Sequence, residues 1–459
     1  MAQDQPAFDL LGLPQEILLQ IIEHEVEKED LDNFVLCSKT IFTLASRALA
    51  KHQEMKKKYS TFVIGDMRSF QLRATTDPAP EVHPVVAVSK LLADHAFAQY
   101  CKILKVGQDV PDLNGAVETL EFANALTSKL EPYCRIAQGF QWTTLQPVSQ
   151  LGLAWVVPFI DLQNIEVLEL ADDTIWYLKI DPIVRVMRNT HHRLKEVRLF
   201  GDCEEDYLDM KFLCQFATIP SVQIICGHHI RGGGYKHREL FPDGACLSIE
   251  EIHLECSYIA AEEFEDLLSH TKALRVFFYE RGHDFGHDHQ PRRTLEALRK
   301  YGSESLQSLT FIDPDIDGML GVSLRDFKVL THVAVDCFLF VDEEKFSDNN
   351  GVPRLVDILP QSLQTLELYR PPPHGIRPLF EGLAELREER LPNLKSITLH
   401  KGIRCRHTMR RELKKLGIEL CCHRTIMRDL KKLGIELAFA TEPKWRWPCP
   451  ERPPGIESS

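Results

Sequence analysis

From residue 101 onward the hydrophobic positions recur in one short figure, apolar–x–x–apolar–x–apolar. It appears as IEVLEL from Ile165, LKEVRL from Leu194, IEEIHL from Ile249, LRVFFY from Leu274, LQSLTF from Leu306, LTHVAV from Leu330, LQTLEL from Leu363 and LKSITL from Leu394. A weaker copy lies at Val222–Cys226, and CKILKV at Cys101–Val106 predicts an earlier strand. Each copy predicts a strand, because successive side chains of a strand face opposite ways. Between them, segments such as AEEFEDLLSH, RRTLEALRKYG and IRPLFEGLAELREER carry apolar residues at helical spacing. A single strand–helix unit is too small to bury its apolar face, so neighbours must stack. The pattern predicts an irregular solenoid, with parallel strands lining a concave sheet and helices outside.

Ahead of the repeats the period changes. In LGLPQEILLQII (Leu11–Ile22), Pro14 suits a first helical turn, and Ile17, Leu18, Ile21 and Ile22 form one apolar stripe. EHEVEKED is a polar break. A second helix is expected from Asp30, with Leu31, Phe34 and Val35 on one face. A third is expected in SKTIFTLASRALAKH, with Ser38 as cap and Ile41, Leu44, Ala45, Ala48 and Leu49 inward. Three short helices in about fifty residues bury little, so such a unit needs a partner or a neighbouring domain.

At 459 residues the chain is too long for one compact core, which fits several domains or an extended array. Its formal net charge of −13 is unevenly spread: residues 401–459 hold fourteen Lys/Arg against seven Asp/Glu, a balance of +7, which leaves −20 on the rest. So acidic a body disfavours a nucleic-acid partner. The first residues lack a basic leader pattern, so no secretory leader is expected. LGLAWVVPFI (Leu151–Ile160) is too short to span a bilayer, so no membrane association is expected either. Thirteen cysteines without a C-x-x-C pair point to reduced thiols, hence to the cytoplasm or nucleus.

Candidate chemistry is sparse. DPDIDG (Asp313–Gly318) copies the front half of a calcium loop but has Leu324 where the closing glutamate belongs, so a solvated turn is expected. HDFGHDHQ (His283–Gln290) groups zinc-ligand residue types, yet a polar loop after a strand has this composition anyway. CGHHIRGGGYKHR (Cys226–Arg238) matches no phosphate-binding loop, and no G-x-S-x-G occurs. No catalytic residue, metal or cofactor is expected, and the chain does not read as an enzyme. RELKKLGIEL (Arg411–Leu420) returns as RDLKKLGIEL (Arg428–Leu437), a tandem duplication expected to finish and cap the array.

LPQEILLQII…EDLDNFVLCSK resembles the F-box. Leu13, Pro14, Glu16, Ile17, Leu18, Ile21, Asp30, Leu31, Phe34, Leu36, Ser38 and Lys39 match its pattern, while Val26, Cys37 and Ile41 depart from it. The period of 24 to 33 residues between strand starts resembles that of leucine-rich repeats, although Asp173, Asp202, Ser257, Gly282 and Pro314 stand where the usual repeat has Asn. The whole is similar to fungal F-box proteins with divergent leucine-rich repeats. The resemblance implies an α/β chain: a disordered start (1–9), an all-α F-box (10–58), a linker and approach (59–100), the solenoid (101–437) and a disordered Pro-rich tail (438–459).

It also implies a non-catalytic substrate receptor of a ubiquitin ligase. The F-box would bind a Skp-type adaptor, and through it a cullin, using Leu13, Pro14, Glu16, Ile17, Leu18, Ile21, Leu31, Phe34, Leu36 and Lys39. The repeat pattern puts a protein substrate on the outward strand positions Glu166, Glu169, Arg198, His253, Arg275, Thr310, Glu367 and Thr398. The alternative is a leucine-rich interaction scaffold that delivers nothing for ubiquitylation.

Overall fold

Every copy of the apolar figure is a strand. The computed structural model describes residues 10–22, 30–66, 81–82, 84–94, 96–107, 157–171, 175, 180–201, 207–233, 241, 246–282, 290–313, 322–340, 353–370, 377–400 and 436–440. The fold is α/β, and the chain divides into two compact units, Met1–Phe200 and Gly201–Ser459.

The first unit opens with α1 (Gln15–Gln20), α2 (Leu31–Leu36) and α3 (Lys39–Tyr59). Pro14 stands at the N-terminal boundary of α1, and the Ser38 hydroxyl caps α3 by accepting from the Thr40 N–H at 3.2 Å. Ile22, Leu31, Val35, Ile41 and Ala45 make their core, with Leu10, Phe34, Leu44, Ala48 and Leu49 packed round it. Helix α3 runs seven residues beyond the expected His52 and leads through Ser60 into strand β1 (Thr61–Asp66). Its second half packs on α5 (Ala96–Tyr100), while α4 (Pro84–Ala93) packs on β1. His52 Nδ1 is 3.1 Å from the Tyr100 hydroxyl, Tyr59 meets Phe97 edge-on at 4.6 Å, and the Tyr59 hydroxyl bonds to Asp94.

Here β1, β3 (Ile103–Val106), β4 (Val167–Ala171) and β5 (Glu196–Phe200) are parallel, in that order, with the short β2 (Glu81–Val82) antiparallel on β1. The sheet therefore begins at Thr61, inside the stretch expected to hold the linker and the solenoid entry. Helix α6 (Ile180–Thr190) connects β4 to β5.

In the second unit β7 (Ile224–His228), β9 (Glu251–Ser257), β10 (Val276–Arg281), β11 (Ser308–Ile312), β12 (His332–Asp336), β13 (Thr365–Tyr369), β14 (Ser396–His400) and β15 (Glu436–Ala440) lie side by side, all parallel. Beside them β6 (Leu208–Asp209) pairs with β8 (Ile230–Arg231). Strand β15 crosses the expected boundary at residue 437 and ends at Ala440. The first duplicated segment, and all of the second but its last two residues, lie outside the described residues, as do residues 1–9.

Two tiers of apolar side chains explain the pattern. The opening residue of each figure, Ile249, Leu274, Leu306, Leu330, Leu363 and Leu394 among them, is at most 1% exposed just below its strand. The two later apolar positions, such as Phe277 and Tyr279 or Leu366 and Leu368, bury the helix-facing side of the sheet. There α8 (Ala261–Ser269) sets Phe264 edge-on against Phe277 at 5.4 Å and Tyr279 at 5.2 Å. Helix α9 (Pro291–Gly302) packs beside it, with Leu295 and Leu298 buried.

Two local departures have clear causes. The weak copy at Val222–Cys226 has Gly227 in its last apolar position. The chain kinks at His229, which takes a left-handed φ, and Ile230 fills that place, so a Cβ on Gly227 would strike Ile230 and Leu254. The helix expected through IRPLFEGLAELREER breaks into a 3₁₀ turn (Arg377–Phe380) and α11 (Leu383–Arg390), because Gly382 adopts a left-handed φ of 73°. A shorter helix, α10 (Leu355–Ile358), precedes β13, and α7 (Met210–Ala217) follows β6. Among the described residues no helix is long and apolar enough to cross a membrane.

Candidate binding surfaces

The N-terminal helices sort the expected adaptor residues into two groups. Leu18 and Leu31 are each 2% exposed, so neither is free to meet another chain, and Leu31 belongs to the bundle's own core. Pro14, Glu16, Ile17, Leu36 and Lys39 are exposed, and Leu13, Ile21 and Phe34 are half-buried. Leu11 at 50%, Ile17 at 43%, Leu36 at 76% and Phe42 at 49% leave unusually large apolar area in water for so small a unit. Leu11 and Phe42 did not stand out in the sequence; Phe42 sits one position off the inward stripe of α3, the available signal for it.

In the first unit the outward positions answer one another. Lys105, Glu169 and Arg198 are register partners on β3, β4 and β5. Glu169 takes Lys105 Nζ at 2.7 Å on one oxygen and Arg198 Nη1 at 2.8 Å on the other, and Arg198 Nε reaches Glu196 at 2.6 Å. Glu169 and Arg198 are thus spent on cross-strand pairing.

In the second unit His253, Phe278, Thr310, Ala334, Glu367 and Thr398 form one register row across the sheet face. Glu166 and Arg275, by contrast, come one residue before their strands and leave the face. Glu166 pairs with Lys102 at 3.0 Å, and Arg275 pairs with Glu250 at 3.3 Å. The face is half-buried at the start of the strands, where Glu251, Val276, Ser308, His332, Thr365 and Ser396 stand. It closes toward their ends, where His228, Tyr369 and His400 are buried.

Two carboxylate–imidazole pairs mark it. His253 Nε2 lies 3.0 Å from Glu251, and this bond holds the Glu251 carboxyl below its ordinary range against the opposing effect of burial. Glu367 faces His400 Nε2 at 2.7 Å, His332 Nε2 at 3.9 Å and the Tyr369 hydroxyl at 3.1 Å. The His400 hydrogen bond, before anything else, depresses the Glu367 carboxyl.

At the ends of β10 to β13 a charged layer is buried. Arg281 binds Asp313 at 3.1 Å, and Arg370 binds Asp336 and the Asp313 carbonyl. Asp313, the first residue of DPDIDG, is fully buried and paired with Arg281; the other five, on which the expected solvated turn falls, lie outside the described residues. Desolvation pushes the Asp336 carboxyl up to about 6, with Arg370 pulling the other way. Burial, helped by Glu280, lifts Glu255 to about 7.

Of the turn positions where a repeat usually has Asn, Ser257 does the same work by other means. Its hydroxyl accepts from the Ile230 N–H at 3.1 Å and donates to the Glu255 carbonyl at 2.8 Å. Asp173, Asp202, Pro314 and the histidines at 283, 287 and 289 lie outside the described residues. Three side chains with metal-ligating atoms, His228, His229 and Cys256, gather where β7 ends.

No protein-family model matches this sequence, and no curated protein matches it significantly.

Proposed function

We propose that this chain is the substrate-recognition subunit of a cullin-based ubiquitin ligase, working in the cytoplasm or nucleus. Its N-terminal helices act as an F-box that docks on a Skp-type adaptor, and its leucine-rich-repeat-like sheet holds a protein client. It makes no bonds itself; it raises the local concentration of client lysines at the ligating partner.

The observation that carries the reading is the exposure of Leu11, Ile17, Leu36 and Phe42 on a helical unit whose core is otherwise closed. Fully burying one such side chain contributes roughly 1.5–3 kcal/mol. Because these four are about half-covered already, covering the rest contributes roughly 3–6 kcal/mol. A micromolar complex needs about 8 kcal/mol. The adaptor must therefore also cover the half-buried Leu13, Ile21 and Phe34, with Pro14, Glu16 and Lys39 at the edge of the contact.

The test is recovery of the full chain by a Skp-type adaptor, with Ile17→Asp/Leu36→Asp as the variant. The reading expects binding by the natural chain, loss in the variant, and cullin in the recovered complex. No binding by the natural chain sinks it. Adaptor binding without cullin or ubiquitylated client favours the scaffold reading instead.

A further inference from the structure

Strand β7 ends at His228, and the next residue, His229, holds its imidazole stacked on that of His228. Regular alternation would send His228 and His229 to opposite faces. His229 instead takes a left-handed φ of 55°, and the imidazoles stack with centroids 4.1 Å apart and planes 22° apart. On the neighbouring strand Leu254 pairs with Tyr279 and Ser257 with Arg281, so Glu255 and Cys256 together oppose Glu280 alone. This bulge, uncommon between parallel strands, leaves Cys256 at a φ of 46° and re-aims its thiol. One ligand atom from each of His228, His229 and Cys256 then lies within 4.8 Å of the others.

The distortions are built in. Among the described residues only three non-glycine positions have positive φ, and two of them meet here. Cysteine is uncommon in that conformation, which histidine adopts more readily, and backbone outliers of this kind gather at functional sites. The surroundings are shaped to it. A Cβ on Gly201 would come within 2.5 Å of the His229 carbonyl oxygen, and one on Gly282 within 2.7 Å of the Cys256 carbonyl oxygen. Tyr207 stacks on His229 at 5.6 Å. His228 is buried and the other two are half-buried, so an ion can reach them.

We infer that His228, His229 and Cys256 form a metal site of zinc type. Two neutral imidazoles and one thiolate are the donors that zinc takes, whereas calcium and magnesium require oxygen. Donor atoms of a tetrahedral zinc site stand about 3.5 Å apart, so closure on the ion draws these atoms together by at most about 1.3 Å. Three protein ligands leave the fourth position to water or to an atom brought from outside. The ion ties the turn after β7 to the bulge of β9.

The experiment uses the reduced, full-length chain with cobalt(II) as a coloured stand-in for zinc. One cobalt per chain should give a sulfur-to-cobalt charge-transfer band. Cys256→Ser should abolish that band, and His229→Gln should weaken binding at least roughly tenfold. His283→Ala/His287→Ala/His289→Ala should keep it. Melting supplies a second reading. In chelator Cys256→Gly should melt at or above the natural chain, because glycine relieves the left-handed strain. Zinc should raise the melting temperature of the natural chain and leave Cys256→Gly unmoved. Absence of the band, its survival in Cys256→Ser, or an equal zinc-induced rise in both chains overturns the inference.

Discussion

Nε2 of His400 lies 2.7 Å from an oxygen of Glu367 on the adjacent strand, and that oxygen also accepts the Tyr369 hydroxyl at 3.1 Å. Tyr369 in turn stacks on His400 with centroids 4.2 Å apart and planes 3° apart. Three residues from two strands thus fix one another. Hydrogen bonds to a charged group contribute roughly 1.5–3 kcal/mol, less where water has access. Glu367→Gln should therefore destabilise by about 1–2 kcal/mol near neutral pH. The Glu367 carboxyl is held below its ordinary range, so its contribution is present above that range and is lost as pH falls through the lowered value. Urea unfolding of both chains at neutral and acid pH should show the difference closing at low pH; a constant difference would mean that the charge contributes nothing.

His191, which closes α6, is completely buried. Desolvation lowers its pKa to about 4, opposed by a hydrogen bond to the Leu162 backbone. The unfolded chain takes up a proton near the ordinary value of 6.5 and the folded chain near 4. The stability from neutral His191 is thus complete above the ordinary value and is lost as pH falls toward 4. By pH 5 the loss reaches roughly 2 kcal/mol. His191→Gln should flatten stability between pH 7 and pH 5 by about that amount, read from chemical unfolding at the two values. An unchanged slope would show that His191 is protonated without cost.

Neighbouring positions on α1 should behave in opposite ways. Leu18→Asp buries a charge and should abolish cooperative melting of the N-terminal helices. Ile17→Asp and Leu36→Asp alter exposed side chains and should shift melting by no more than about 0.5 kcal/mol. Circular dichroism melts of the three variants separate the groups; comparable loss in all three would mean that Ile17 and Leu36 belong to the core.

Gly227→Ala should cost about 1–3 kcal/mol through overpacking, because its methyl would occupy the space that Ile230 fills. Adding Ile230→Ala should recover part of the loss, since space is then restored. The check is a double-mutant cycle by chemical unfolding; additive losses would rule out the exchange of space between the two positions.

The strands were legible because each figure encodes burial twice, once below the strand and once along it. The residues at Gly227 and Gly382 hid from such a reading for physical reasons. Gly227 lends its place to a side chain three residues on, and Gly382 breaks a helix whose periodicity continues past the break. Strand β1 carries the same figure as YSTFVI, with Tyr59, Phe62 and Ile64 buried at its apolar positions, but its leading residue is also the last of α3, so the helical period runs into the repeat and masks it. The face positions Glu169, Arg198, His253 and Glu367 were legible as outward, but their partners were not, because register across strands decides who meets whom. Nor could spacing join Cys256 to His228 and His229, since two left-handed residues in unremarkable sequence bring them together.

Helix α3 runs 21 residues, or about 30 Å, and belongs to both ends of its unit. Its first half completes the N-terminal core; its second half is bolted to α5 through His52 and Tyr59; one residue later it becomes β1. A jointed tether would sample many distances and spread whatever it carries over a broad volume. A single bolted rod has no slack, so whatever the N-terminal helices grip is held at one distance and bearing from β1. Lengthening the helix by four residues in its middle would change that bearing by about a tenth of a turn while advancing it by about 6 Å, which makes α3 a ruler whose marks are its own turns.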